Sequence, residues 1–289
     1  MTSPSSSAPR DPAPTLRCGR FELALGRPRI MGVVNLTADS FSDGGRWLES
    51  SAAIAHAHRL LEEGAELLDL GAESTRPGAP PVAAEVELAR LRPVLRALAD
   101  AGVPLSVDTR KPEVMRAVLD EGADMINDVA GFRTEAAIDA VRGSGAACCA
   151  MHMLGDPLTM QQAPVYRDVV LEVRDWLAAR VAALQHAGVD RARIVVDPGI
   201  GFGKTLEHNL ALLARLPEAS PPGVPVLVGV SRKSMLGAIT GRSVGERLPG
   251  SLAAMLAAVA RGARIVRVHD VAATRDALAV WSAIDGARA

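Results

Sequence analysis

The stretch RIVVDPGIGFGKT, Arg193 to Thr205, decides how the rest of the chain is read. Its β-branched run Ile194-Val195-Val196 suits a strand buried on both faces. Asp197 follows at once, then Pro198 and three glycines, Gly199, Gly201 and Gly203, threaded with Ile200 and Phe202. A helical pattern begins after Lys204-Thr205. A carboxylate ending a buried strand, on a loop whose glycines let backbone approach a ligand, is a functional geometry. Two nucleotide readings fail on spacing. A P-loop needs glycine where Pro198 stands, and a dinucleotide fingerprint counted from Gly199 needs glycine where Lys204 stands. The plain alternative, a strand-to-helix turn with a capping Asp, weakens because the arrangement recurs.

Outward from this stretch, the chain alternates strand and helix. Strands are predicted over Arg29–Asn35, Glu66–Gly71, Pro104–Asp108, Asp124–Asp128, Ala146–His152, Arg193–Asp197, Pro225–Ser231 and Arg264–His269. The helices between and after them run near Leu48–Glu63, Pro81–Ala101, Pro112–Glu121, Thr134–Arg142, Val165–Ala187, Leu206–Leu216, Leu248–Arg261 and Thr274–Asp285. Gly64, Gly102, Gly122, Gly188 and Gly262 each stop a helix just before a strand, as left-handed C-caps do. Eight strand–helix units predict an α/β fold, a (β/α)8 TIM barrel. The rival, an open doubly wound sheet, usually has fewer strands and a Gly-rich phosphate turn after the first. Phe21 to Leu25 alternates before the turn Gly26-Arg27-Pro28 and is expected to form a short N-terminal β arm.

Composition narrows the function classes. At 289 residues the chain can bury a large core, and residues 15–289 are read as a single domain. Residues 1–14, MTSPSSSAPRDPAP, are Ser/Pro-rich without an apolar core, so they are expected to be a disordered tail rather than a signal peptide. The net charge of -1 and the 3% aromatic content give no nucleic-acid surface, and no apolar run is long enough to span a bilayer. Cys148 and Cys149 are adjacent and Cys18 is distant, which is neither a disulfide framework nor a zinc spacing and fits a reducing cytoplasm.

In such a barrel, functional groups sit at the carboxyl ends of the strands and in the loops beyond. Those positions hold Asn35, Glu73-Ser74-Thr75-Arg76, Asp108, Asn127-Asp128, His152, Asp197, Ser231-Arg232-Lys233, Arg267 and His269. Asp108, Asn127, Asp197 and Lys233 combine acceptors, an amide and a cation, a set suited to the edge of a flat heterocycle. Arg76, Arg267 and His269, with Asn35 and Thr75, suit a phosphate or diphosphate with a magnesium ion held partly by Asn35. Singly, each has a plainer reading. Asp108 and Asp197 could cap helices, Arg76 and the Arg232-Lys233 pair could be solvated, and His152 could be a packed, hydrogen-bonded core histidine. Together, the plain readings do not explain why polar groups recur at strand ends. The loops after the first two strands, residues 35–45 and 74–81, are long and polar, as substrate lids are, and Phe41 is placed to close over a ring.

At these residues the chain resembles the dihydropteroate synthases, a family of pterin-binding enzymes. The likeness runs from about Ile30 to Val271 and rests on MGVVNLTADSFSDGG (31–45), GAESTRPGA (71–79), SVDTRKPEV (106–114), INDV (126–129), DPGIGFGKT (197–205), GVSRKSMLG (229–237) and RVHDV (267–271). It implies condensation of 6-hydroxymethyl-7,8-dihydropterin diphosphate with p-aminobenzoate to 7,8-dihydropteroate and diphosphate, inhibition by sulfonamides, and a homodimer. It also implies that Asp108, Asn127, Asp197 and Lys233 grip the pterin. Asn35, Thr75, Arg267 and His269 would hold the diphosphate, with Asn35 on the Mg2+ ion. Phe41, Arg76, Pro77, Phe202, Ser231 and Lys233 would shape the aminobenzoate pocket. The catalytic set is then Asp108, Lys233, Arg267 and His269, with Asp108 facing a cationic pterin methylene as the diphosphate departs. No covalent nucleophile is required.

Ala38, Ala72 and Leu154 stand where the family usually has proline, glycine and glutamine, and none removes an assigned group. Two other readings of a pterin barrel stay open on the sequence. A methyl-tetrahydrofolate corrinoid methyltransferase would keep Asp108, Asn127 and Asp197 but have little use for the cation cluster. A catalytically silent pterin-binding paralogue would bind pterin without turnover.

Overall fold

The computed structural model describes residues 14–36, 46–75 and 78–287. An antiparallel hairpin of β1 (Thr15–Cys18) and β2 (Phe21–Ala24) precedes eight further strands. These are β3 (Arg29–Asn35), β4 (Leu67–Gly71), β5 (Leu105–Asp108), β6 (Met125–Asp128), β7 (Ala147–Met151), β8 (Ile194–Asp197), β9 (Val226–Val228) and β10 (Ala263–Val268). They pair in parallel in chain order, and β10 pairs with β3, so the barrel closes. Around it lie α1 (Arg46–Glu63), α2 (Ala84–Ala97), α3 (Pro112–Asp120), α4 (Glu135–Val141), α5 (Val169–His186), α6 (Leu206–Ala214), α7 (Ser234–Thr240), α8 (Leu248–Val259) and α9 (Val271–Gly286).

Alternation along each strand sorts its side chains. Residues such as Val34, Leu68, Leu70, Val107, Ile126, Ala150, Val196 and Val266 face the helices and join the large outer core. Their sequence neighbours point inward and stack in layers. Met31, Leu67, Met125, Ala147, Leu227 and Ile265 form an apolar floor with Leu16, Cys18, Leu23 and Leu25 of the hairpin. Full burial of one such leucine is worth about 1.5–3 kcal/mol. The hairpin is therefore the plug of the barrel's lower end. It is latched there by the Asp124 carboxylate, which accepts from Arg20 N, Arg20 Nη2 and Leu105 N, each at 3.1 Å.

The predicted units are all present, with shifted ends. The helix expected over Val165–Ala187 starts at Val169, where the Asp168 side chain accepts from Val170 and Leu171 N–H groups. All five predicted stop glycines have positive φ, between 74° at Gly102 and 106° at Gly64. Among the described residues, one strand and one α-helix lie outside the predicted set. β1 lies in a stretch too short to show a period, and α7 is a two-turn helix whose Gly237 makes room for the Arg247 guanidinium. Residues 1–13 of the expected tail lie outside the described residues.

Candidate active site

The polar layer directly above the apolar floor is built on Asp69, the inward residue midway along β4 and fully buried. Its Oδ1 accepts from Ser106 Oγ at 2.6 Å. Its Oδ2 accepts from Asn127 Nδ2 at 3.1 Å and Arg267 Nε at 2.5 Å. Asp108 ends β5 one layer higher, and its Oδ2 accepts from Arg267 Nη2 at 3.1 Å. Asp108 and Asn127 are register partners on neighbouring strands. The other oxygen, Asp108 Oδ1, is buried with no hydrogen-bond partner among the described residues. Burial raises the Asp108 carboxyl above its ordinary range, against the opposing pull of Arg267. Burial alone would lower the Arg267 guanidinium, but Asp69 and Asp108 reverse this and hold it firmly charged.

Asp197 and Lys233 complete this rim from the next strands. Asp197 is 5% exposed and accepts from Gly199 N at 2.7 Å, which starts the loop to α6. Burial raises its carboxyl, and Lys233 offsets part of that rise. Lys233 donates to the Ile200 carbonyl and lies 4.6 Å above the Phe202 ring centre, a cation–π contact. Burial pushes the Lys233 ammonium down to about 8, with Asp197 holding it up. Three acidic groups and two cations thus line one end of the barrel. The plain helix-cap readings fail here: α3 follows Lys111 without a side-chain cap, and α6 is capped by Thr205.

The 199–203 loop is itself anchored from beneath. Lys204, 3% exposed, donates to Phe202 O at 2.9 Å and lies 3.0 Å from His152 Nδ1. Burial holds Lys204 well below the usual lysine range, and burial with the nearby Lys204 charge keeps His152 neutral. His152 is therefore the packed core histidine of the plainer reading. Asp128 is likewise a turn builder, accepting from Ala130 N at 2.8 Å and Phe132 N at 2.6 Å.

On the β3–β10 side, Asn35 and His269 share the wall of a cleft of about 810 Å³ with Arg232 and Arg59. Ser231 Oγ lies 3.0 Å from His269 Nδ1 and accepts from His269 N at 3.2 Å, so it orients that imidazole. Arg232 pairs with Asp270, Nε to Oδ2 at 3.0 Å, and stands apart from Lys233 in role. Thr75 is half-buried on the second loop. The neck of that loop is tied by Glu73, which accepts from Val82 N at 2.8 Å and Arg110 Nε at 3.0 Å. Lys111 bridges Glu73 to the buried Glu87, at 2.6 Å from the latter. Phe41, Arg76, Pro77 and the departure Ala38 lie outside the described residues. Of the other departures, Ala72 is buried and Leu154 lies against Gly203.

Reading strand ends alone misses Asp69 and Lys204, and it finds Glu73 without its link through Lys111 to Glu87. A charged residue within the otherwise apolar LLDLG is the available signal for Asp69, since a buried strand carries a carboxylate only where partners await it. Lys204 gives no comparable signal, because Gly-Lys-Thr at a helix start reads as a solvated end.

As a whole, the rim offers acceptors at Asp108, Asp197 and Asn127 and a donor at Lys233 at one end of the barrel, a setting for the edge of a flat heterocycle. Residues 31–269 match a family described as "Pterin binding enzyme". A dihydropteroate synthase of Neisseria meningitidis serogroup B is 53% identical over 275 residues, covering 93% of this chain and 96% of the relative. The structure of Burkholderia cenocepacia dihydropteroate synthase with 7,8-dihydropteroate aligns at a TM-score of 0.88 and 55% identity, covering 96% of this chain and 98% of the other. That of the Xanthomonas albilineans enzyme with 4-aminobenzoic acid aligns at 0.89 and 52%, covering 94% and 98%. The chain belongs to the dihydropteroate synthase family of pterin-binding enzymes.

Proposed function

We propose that this rim condenses 6-hydroxymethyl-7,8-dihydropterin diphosphate with p-aminobenzoate, releasing 7,8-dihydropteroate and diphosphate. The observation that carries the reading is the convergence of Asp108, Asn127, Asp197 and Lys233 at one end of the barrel, with Arg267 bridging Asp69 and Asp108. In it, the unpartnered Asp108 Oδ1, the Asn127 carbonyl and Asp197 accept from the pterin's ring and amino N–H groups, and Lys233 donates to its carbonyl. Arg267 and His269 take the diphosphate end with Thr75, while Ser231 holds the imidazole. Phe202 and Lys233, with Phe41, Arg76 and Pro77, receive the aminobenzoate.

As the methylene–oxygen bond lengthens, electron density moves to the diphosphate and positive charge spreads into the pterin. The Asp108 carboxylate faces that charge, and the guanidinium and imidazole take the anion. The aryl amine nitrogen then bonds directly to the methylene, so no covalent enzyme intermediate forms, and its proton passes to the released diphosphate. Asn35 would hold a magnesium ion together with the diphosphate. Its amide oxygen is a hard donor of the kind such an ion takes beside phosphate oxygens and water. Bound there, the ion would supply charge neutralisation to the leaving group. No helix among the described residues is long and apolar enough to cross a membrane. All three cysteines are free and buried, which supports a cytoplasmic setting.

Diphosphate release measured with and without p-aminobenzoate tests the activity. Release should require both substrates; release from the pterin diphosphate alone at an unchanged rate, or pterin binding with no turnover, would refute the condensation. A second expectation concerns pH. Lys233 in the free protein loses its proton near pH 8, and a bound pterin carbonyl favours the ammonium. The Lys233 contribution to pterin affinity should therefore fall by up to tenfold per unit above that pH. Lys233→Arg, which keeps its charge, should flatten the fall in a calorimetric titration, and an unaltered slope would assign it to another group.

A further inference from the structure

We infer that Asp69 is a positioning residue for the pterin site, setting which hydrogen-bonding face Asn127 shows the ligand and how the Arg267 guanidinium lies. This inference rests on the pterin-binding reading above. Asp69 is fully buried in β4 and, when ionised, can only accept. A carboxamide can normally turn either its oxygen or its nitrogen toward a neighbour. Opposite Asp69 only one of these is tolerable: Asn127 gives its Nδ2 to Asp69 Oδ2 at 3.1 Å, and the reverse orientation would press two acceptors together. The Asn127 oxygen is thereby turned to the other side, where the pterin edge presents N–H groups.

The same Oδ2 receives Arg267 Nε at 2.5 Å, while Arg267 Nη2 reaches Asp108 at 3.1 Å. Two carboxylates on adjacent strands fix the guanidinium at two points, which sets its plane as well as its place. Asp69 is in turn braced by Ser106 Oγ at 2.6 Å on Oδ1. One side chain thus orders two ligand-facing groups whose positions lie 58 and 198 residues away. When Asp69 is replaced by asparagine the acceptor-only constraint is lost, and Asn127 is free to turn.

The test is calorimetry with 6-hydroxymethylpterin, which lacks the diphosphate, on wild-type protein, Asp69→Asn, Asn127→Ala and the double variant. Asp69→Asn should weaken pterin binding by roughly 10- to 100-fold, the scale of a lost charge-assisted buried hydrogen bond. The KM for p-aminobenzoate should change less than about twofold. In the Asn127→Ala background the same substitution should cost several-fold less, because part of its effect runs through Asn127. Unchanged pterin affinity in Asp69→Asn, or full multiplicative losses in the double variant, would overturn the inference. So would equal increases in both substrates' KM, the mark of a general loosening. If Asp69→Asn does not fold, Ser106→Ala decides: a several-fold loss of pterin affinity supports the brace, and wild-type affinity refutes it. A wild-type protein that binds no pterin would instead sink the function reading itself, so the two failures are told apart.

Discussion

Asp108→Asn should lower kcat by roughly 10²- to 10³-fold while weakening pterin binding by only about tenfold. The substitution keeps the shape of the side chain and removes its charge, so the two effects separate. For binding, the carboxamide of the variant still offers one acceptor to the pterin edge and loses one charge-assisted bond. For turnover it loses the anion that meets the cationic methylene. A full charge about 4 Å away is worth about 4 kcal/mol at an effective dielectric of 20, or about three orders of magnitude in rate. Stability should move the other way. Burial raises the Asp108 carboxyl, so its ionised form weighs against the folded state once pH exceeds the ordinary carboxylate range. The variant's Tm near neutral pH should therefore hold or rise. Steady-state kinetics, pterin titration and thermal unfolding on one preparation check all three. Equal losses in kcat and pterin affinity would remove Asp108 from its role opposite the cation.

Gly199→Ala should cost the fold about 3–5 kcal/mol, as backbone strain and a forced contact add. Gly199 has φ of 69°, and a Cβ there would lie 1.8 Å from the His152 carbonyl oxygen, which is backbone and cannot swing aside. At about 2–4 °C per kcal/mol, this is a fall in Tm of roughly 10 °C. Turnover should fall with it, because the loop that must shift carries Ile200 and Phe202, both of which hold the Lys233 ammonium. Gly102→Ala supplies the comparison. Its φ is 74°, but a Cβ would meet nothing within 4 Å, so strain alone remains and the fall should be a few degrees. Scanning calorimetry of the two variants reads the difference. Equal small shifts would mean that the loop has room to move off the end of β7.

Several particulars show what is legible along the chain. The stop glycines, the eight units and the strand-end residues Asp108, Asn127 and Asp197 all depend on near neighbours in sequence, and each stands where its pattern places it. Pattern misleads where it competes with long-range packing. His152 sits at a strand end like the functional groups, yet Lys204 and the aromatic ring of Trp176, 5.0 Å away, enclose it as a core residue. Ser231, which the resemblance assigns to the aminobenzoate pocket, also meets His269, a contact that no local pattern announces. Asp69 shows along the chain only as a charge inside an apolar strand, and which partners it serves is settled when the barrel closes.

By itself the sequence determined the parallel α/β units, their number and the chemical kinds of side chain gathered at one end, because strand alternation and helix period act over a few residues. Tertiary structure alone decided the pairing of those groups. Asp69 meets Arg267 across 198 residues only once β10 closes against β3, and Lys204 reaches His152 only when the glycine loop folds over β7. Charge, burial and the direction of an amide are properties of such encounters, and no stretch of chain contains them before the barrel shuts.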